Sequence, residues 1–142
     1  MIKGNNSVKL TLPAISINES YARVAAAALA AQADPTIEQI ADIKTAVSEA
    51  VTNVIVHAYR GMPAGKVYIT MKLDEKGIFT VTVRDTGCGI EDIGRAREPC
   101  FTTAPAEERS GMGFSIMETF MDSLRVRSRP GRGTTVTMIK RL

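Results

Sequence analysis

Three short runs carry residues able to do chemistry, and they come in one order along the chain: Glu49-Ala50-Val51-Thr52-Asn53, then Asp85-Thr86-Gly87-Cys88-Gly89, then Ser110-Gly111-Met112-Gly113-Phe114. Glu49, Asn53 and His57 are spaced four apart, and at about 100° per residue they share one drifting polar stripe of a helix. The carbonyl oxygen of Asn53 suits Mg²⁺, a hard cation that takes oxygen ligands. Glu49, one turn earlier, can orient or deprotonate a hydroxyl beside a bound phosphate. The same stripe also describes a solvated helix face. His57, the only histidine, reads most simply as a polar residue closing the helix.

Asp85 ends the alternating run Thr80-Val81-Thr82-Val83 and leads into Gly87 and Gly89. Glycines let a ligand approach the backbone closely. A carboxylate buried there can accept a hydrogen bond from an exocyclic amine such as adenine N6; the alternative is an ordinary Asp-Thr-Gly turn. Ser110-Gly111-Met112-Gly113 precedes a predicted helix, whose first amides and dipole bind phosphate, or it is a flexible helix entry. Arg109 beside it is either a forked contact to the β- or γ-phosphate or a surface arginine. Gly131-Arg132-Gly133-Thr134-Thr135 is a hairpin turn first, with the Thr134 hydroxyl as a candidate adenine contact. The chain has no G-x-x-x-x-G-K-[ST] loop and no H-R-D or D-F-G set, so ATP binding rests on the three runs.

The elements that must position these residues follow from periodicity. Residues 8–12 alternate as a strand closed by Pro13, and alanine-rich residues 19–33 read as a helix. Asp34-Pro35-Thr36 stops one helix and starts another, with Thr36 and Gln39 as a capping box. That second helix runs to about Tyr59, with Ile40, Ile43, Val47, Val51 and Val54 facing the core. Residues 66–74 and 78–84 predict a hairpin, 113–122 a helix, and 124–128 with 134–139 a last hairpin. Residues 85–111 have little periodicity and hold Pro99 and Pro105. A segment this irregular is uncommon unless functional, and residues 93–112 are expected to form an ATP lid. The expected fold is α+β: one domain over residues 1–142, a two-layer sandwich with helices on one face of a mixed β-sheet.

A chain of 142 residues fits one domain with a sizeable core. Cys88 and Cys100 are too few for a disulfide framework and lack metal spacing, so they are expected to be reduced thiols in a cytoplasm. No apolar run reaches the roughly 18–20 residues that span a bilayer, and the N-terminus lacks a signal pattern. The net charge of +3 does not argue for nucleic acid. Arg125, Arg127, Arg129 and Arg132 cluster; they read as a solvated strand face, or as a contact for an acidic protein surface.

Taken together, the three runs resemble the ATP site of the GHKL superfamily, which includes gyrase, Hsp90, histidine kinases and MutL. Within it the chain is similar to the small bacterial serine kinases that act as anti-sigma factors, most of all the anti-sigma F factors of endospore-forming bacteria. Two stretches carry the likeness, from Asn18-Glu19-Ser20-Tyr21-Ala22-Arg23 to Asn53, and from Phe101-Thr102-Thr103 through Glu108-Arg109-Ser110-Gly111-Met112-Gly113-Phe114 to Asp122. The resemblance implies a cytoplasmic homodimer that holds a sporulation sigma factor (sigma F) away from RNA polymerase. It also implies a kinase that uses Mg-ATP to phosphorylate a serine of a small anti-anti-sigma protein. Glu49 would be the general base and Asn53 the Mg²⁺ ligand. Asp85 would read adenine, with Gly87 and Gly89 shaping its pocket. Thr103, Arg109, Ser110, Gly111 and Gly113 would form lid and phosphate cradle. Arg23 would contact the partners, which compete for its surface. No direct nucleic-acid or membrane contact is implied.

Ala104 stands where the family usually has lysine, and Cys100 where it has a larger hydrophobe; both bear on lid contacts, not on the core site. Two other readings are an ATP-gated anti-sigma module that catalyses nothing relevant, for which Glu49 would be superfluous, and a general-stress anti-sigma kinase, which shares the first run but diverges in the second stretch. The ATPase part of a sensor histidine kinase is disfavoured, because there is no phosphoacceptor helix.

Overall fold

Alternating apolar and polar residues build five strands, and apolar residues three and four apart build the helices that cover them. The computed structural model describes residues 5–63, 65–97 and 113–142. In chain order the elements are β1 (Asn6–Pro13), α1 (Glu19–Ala30), α2 (Ile37–Asn53), β2 (Lys66–Leu73), β3 (Ile78–Arg84), α3 (Ile93–Ala96), α4 (Gly113–Phe120), β4 (Ser123–Arg129) and β5 (Gly133–Arg141). The sheet order is β1-β2-β3-β5-β4. The expected α+β sandwich is present, with one correction: every pairing is antiparallel, so the sheet is not mixed. β5 returns from β4 by a tight turn and inserts between β4 and β3, so it runs against both.

One face of the sheet holds the core. Val67, Ile69, Met71 and Leu73 of β2, with Phe79, Val81 and Val83 of β3, are buried against Ile43, Val47 and Val51 of α2. Each such side chain stabilises the fold by about 1.5–3 kcal/mol, so the middle of α2 is pinned to the central strands. Thr36 and Gln39 form the capping box: Thr36 Oγ1 accepts from the Gln39 N–H at 3.1 Å, and Gln39 Oε1 accepts from the Thr36 N–H at 2.9 Å. Lys140 is the charged residue on the core side of β5. Its Nζ donates to Phe120 O at 2.7 Å and lies 3.5 Å from an Asp42 carboxylate oxygen, so the buried charge is partnered.

Two local features depart from expectation. The second helix does not stay α-helical to about Tyr59; it widens into a π-helical turn over Val54–Ala58. Within the segment read as irregular, Ile93–Ala96 makes the single turn α3, too short to leave a periodic pattern. The other face of the sheet carries mostly threonines, lysines and arginines and lies open. Among the described residues no helix is long and apolar enough to cross a membrane.

Candidate functional site

Asp85 sits just past the end of β3, 6% exposed. Its N–H donates to Thr134 O at 2.9 Å, continuing the β3–β5 ladder by one residue. Its Oδ1 accepts from the N–H of Gly87 at 2.9 Å and of Thr134 at 3.2 Å. Both bonds end on the same oxygen, which leaves Oδ2 as an acceptor for a ligand. Burial raises the Asp85 pKa above its ordinary value, while the two backbone N–H groups and the nearby Arg84 guanidinium oppose that rise.

The loop after Asp85 is clamped from two sides. A Cβ on Gly87 would lie 1.9 Å from Ala58 O, and one on Gly89 (φ +75°) would lie 2.2 Å from Arg129 O. Only glycine fits either place. The Cys88 N–H donates to Ala58 O at 2.6 Å, and the Cys88 carbonyl accepts from the Gly131 N–H at 2.6 Å. Cys88 thus serves through its backbone and leaves its thiol exposed. The π-helical turn presents the Ala58 carbonyl at one side of the loop, and the β4–β5 turn closes the other. π-turns are frequent at functional sites.

The first and third runs also meet. Glu49, Asn53 and His57 are all half-buried. A Cβ on Gly113, the first residue of α4, would lie 3.0 Å from Asn53 Oδ1. The bare Gly113 backbone therefore abuts the Asn53 amide, and a larger residue would fill that space. Glu49 lies one turn before Asn53 on α2. Thr134, the candidate adenine contact, meets Asp85 through its backbone, and its Oγ1 lies 2.9 Å from Ser128 Oγ. Arg23 belongs to another surface: it lies on α1, ion-paired to Glu19 at 2.8 Å. Thr103, Arg109, Ser110 and Gly111, like Cys100, Ala104 and most of the expected lid, lie outside the described residues.

Sequence reasoning missed two supporting residues. The Tyr59 hydroxyl donates to Lys66 O at 2.5 Å and accepts from the Thr86 N–H at 3.1 Å, tying the end of α2 to β2 and to the Asp85 loop. Ser128 Oγ accepts from the Ile90 N–H at 2.7 Å and donates to Gly133 O at 3.0 Å. Ser128 had a signal: it is polar at an inward position of β4, in step with Leu124 and Val126. Tyr59 had none.

A family model described as "Histidine kinase-like ATPase domain" matches residues 13–140. The anti-sigma F factor of Caldanaerobacter subterraneus is 55% identical over 136 residues, covering 96% of this chain and 94% of that protein. The anti-sigma F factor of Halalkalibacterium halodurans is 53% identical over 137 residues, covering 96% and 93%. Among solved structures, the RsbU and RsbW domains of a Mycobacterium tuberculosis protein superpose with a TM-score of 0.70 at 22% identity, over 96% of this chain and 32% of that one. The histidine kinase domain of an Erythrobacter litoralis blue-light activated kinase superposes at 0.61 and 23% identity, over 92% of this chain and 61% of that one.

Proposed function

Because the chain belongs to the anti-sigma F factor family of histidine kinase-like ATPase domains, we propose that it is an ATP-dependent serine kinase and anti-sigma factor. It binds and inhibits a sporulation sigma factor, sigma F, and phosphorylates a serine of an anti-anti-sigma protein, which controls release of the sigma factor. It works as a homodimer in the cytoplasm. The observation that carries the nucleotide part is the buried Asp85 carboxylate, with Oδ1 engaged by two backbone N–H groups and Oδ2 left for a ligand amine.

The residues fit Mg-ATP. Asp85 Oδ2 would accept from adenine N6, and the Thr134 hydroxyl lies on the same side of the sheet. Mg²⁺ commonly takes one or two protein oxygens beside phosphate and water, so Asn53 suffices as its protein ligand. Gly113 keeps the start of α4 bare beside Asn53, as close approach of a phosphate requires. Bound Mg-ATP supplies the phosphoryl group and the cation that offsets its charge. Glu49 would accept the proton of the substrate serine hydroxyl and hold that oxygen in line. Gly87 and Gly89 shape the adenine pocket, and Thr103, Arg109, Ser110 and Gly111 complete lid and phosphate cradle.

Partner binding falls on α1 and the turn just before it. Ile17, Tyr21 and Val24 are 73%, 64% and 60% exposed, at i, i+4 and i+7, with Arg23 beside them. Exposed apolar side chains grouped on one surface mark interaction sites. The test is capture of purified sigma F by the chain with ATP present. Wild type is expected to retain it. Arg23→Glu is expected to lose at least about tenfold in affinity, the scale of one lost charge-assisted contact, while binding ATP normally. Equal capture by both proteins would remove Arg23 from the interface.

A further inference from the structure

The charges of this chain are sorted by layer. The five strands carry nine lysines and arginines and no aspartate or glutamate. The rest of the chain carries the other nine cations and all fifteen carboxylates. On the strands only Lys140 points to the core, where it pairs with Asp42. The others are exposed on the open face, among them Lys9, Lys72, Arg84, Arg125, Arg127 and Arg129. Register gathers them: Arg84 and Arg127 flank Thr135 across three strands, and Arg125 flanks Thr137. With Arg132 from the β4–β5 turn, Arg84, Arg127 and Arg129 line one open hollow. None of these four makes an ion pair among the described residues. A mildly charged protein has thus gathered cations on the open face, in the other layer from α1, with one end of the patch reaching the edge of the site at Asp85 and Thr134.

We propose that this open sheet face is a second docking surface, and that its occupant is a protein surface or segment rich in aspartate and glutamate. Charge complementarity selects that partner: the fork of arginine matches a carboxylate bidentately, and arginine is enriched at protein interfaces. A second copy placed face to face would set like charges against one another. Single-stranded nucleic acid stacks its bases on aromatic side chains. This face offers Tyr68, whose ring is already covered by the Arg84 guanidinium at 4.2 Å. Because the surface lies in the other layer from α1, the chain can hold an acidic partner there while its helical surface is engaged.

The test titrates the full ¹⁵N-labelled chain, saturated with ATP, with a ten-residue polyglutamate peptide and separately with a twelve-nucleotide oligothymidylate. Peptide-induced shifts are expected at Arg84, Arg127, Thr135 and their strand neighbours, with α1 and α2 unmoved. Affinity is expected to fall at least about tenfold between 50 and 200 mM salt, because screening weakens exposed charge contacts. The R125E/R127E/R129E variant is expected to lose at least about tenfold in peptide affinity while binding ATP as wild type does. Three outcomes overturn the proposal: shifts spread over both layers, peptide binding untouched by the triple reversal, or tighter binding of the oligothymidylate at the same strands. Self-association that the triple reversal abolishes would also overturn it, by assigning the face to a second copy.

Discussion

Replacing Asp85 with asparagine separates binding from folding. Asparagine keeps an oxygen that accepts the Gly87 and Thr134 N–H groups at the Oδ1 position. Turning the amide round would aim its NH₂ at two backbone donors, so one orientation is enforced. The NH₂ then occupies the place of Oδ2 and meets adenine N6 donor to donor. A hydrogen bond to a charged acceptor contributes about 1.5–3 kcal/mol, and about 1.4 kcal/mol is tenfold, so ATP affinity should fall roughly 10–150-fold. Stability should move the other way. Burial raises the Asp85 pKa above its ordinary value, so between the two values the folded chain holds a proton that the unfolded chain has released. The ligand-free stability from this group is full below the ordinary pKa and declines as pH rises through the native one. Asp85→Asn removes that dependence and should be at least as stable as wild type at neutral pH. Calorimetric ATP titration and urea unfolding at several pH values measure both. A variant binding ATP within twofold of wild type, or one markedly less stable, would refute the reasoning.

Three further perturbations test the site. Asn53→Ala should weaken ATP binding in Mg²⁺ and leave the much weaker binding in EDTA unchanged; equal affinities for both proteins in Mg²⁺ would end its role as ligand. Gly87→Ala puts a methyl 1.9 Å from Ala58 O and should cost about 1–3 kcal/mol, the scale of overpacking, read as a lower urea midpoint; an unchanged midpoint would contradict the clamp. Tyr59→Phe deletes the hydroxyl between Lys66 O and the Thr86 N–H and should cost about 1 kcal/mol, while lowering affinity for adenosine but not for tripolyphosphate. Equal loss for both ligands would show that the hydroxyl does not act through the base pocket.

Most of the fold was legible because each layer repeats a simple period. The alternation in β2 and β3, the apolar positions of α2 and the Thr36–Gln39 box all stand where the pattern put them. The two hairpins were legible as antiparallel pairs, but the direction of β1 against β2 and of β3 against β5 was not, because alternation looks the same in parallel and antiparallel strands. The π-helical turn was hidden too, because Val54–Ala58 reads as ordinary helix, and the widening answers to contacts with a loop thirty residues on. Asp85 and its glycines were readable as a loop that a ligand approaches. The sequence could not show that Gly87 and Gly89 meet backbone carbonyls from two other elements. Tyr59 was invisible for the same reason, since its partners are backbone groups that become neighbours only on folding.

The central claim is phosphoryl transfer to a serine, and one measurement meets it directly. The purified chain is mixed with γ-labelled ATP, Mg²⁺ and the anti-anti-sigma protein of the same organism, and the label is then challenged with acid. Acid-stable label should appear on the partner, and Glu49→Gln should transfer it at least about 100-fold more slowly, the usual scale for a lost general base, with ATP affinity unchanged. Acid-labile label, or normal transfer by Glu49→Gln, would contradict the account.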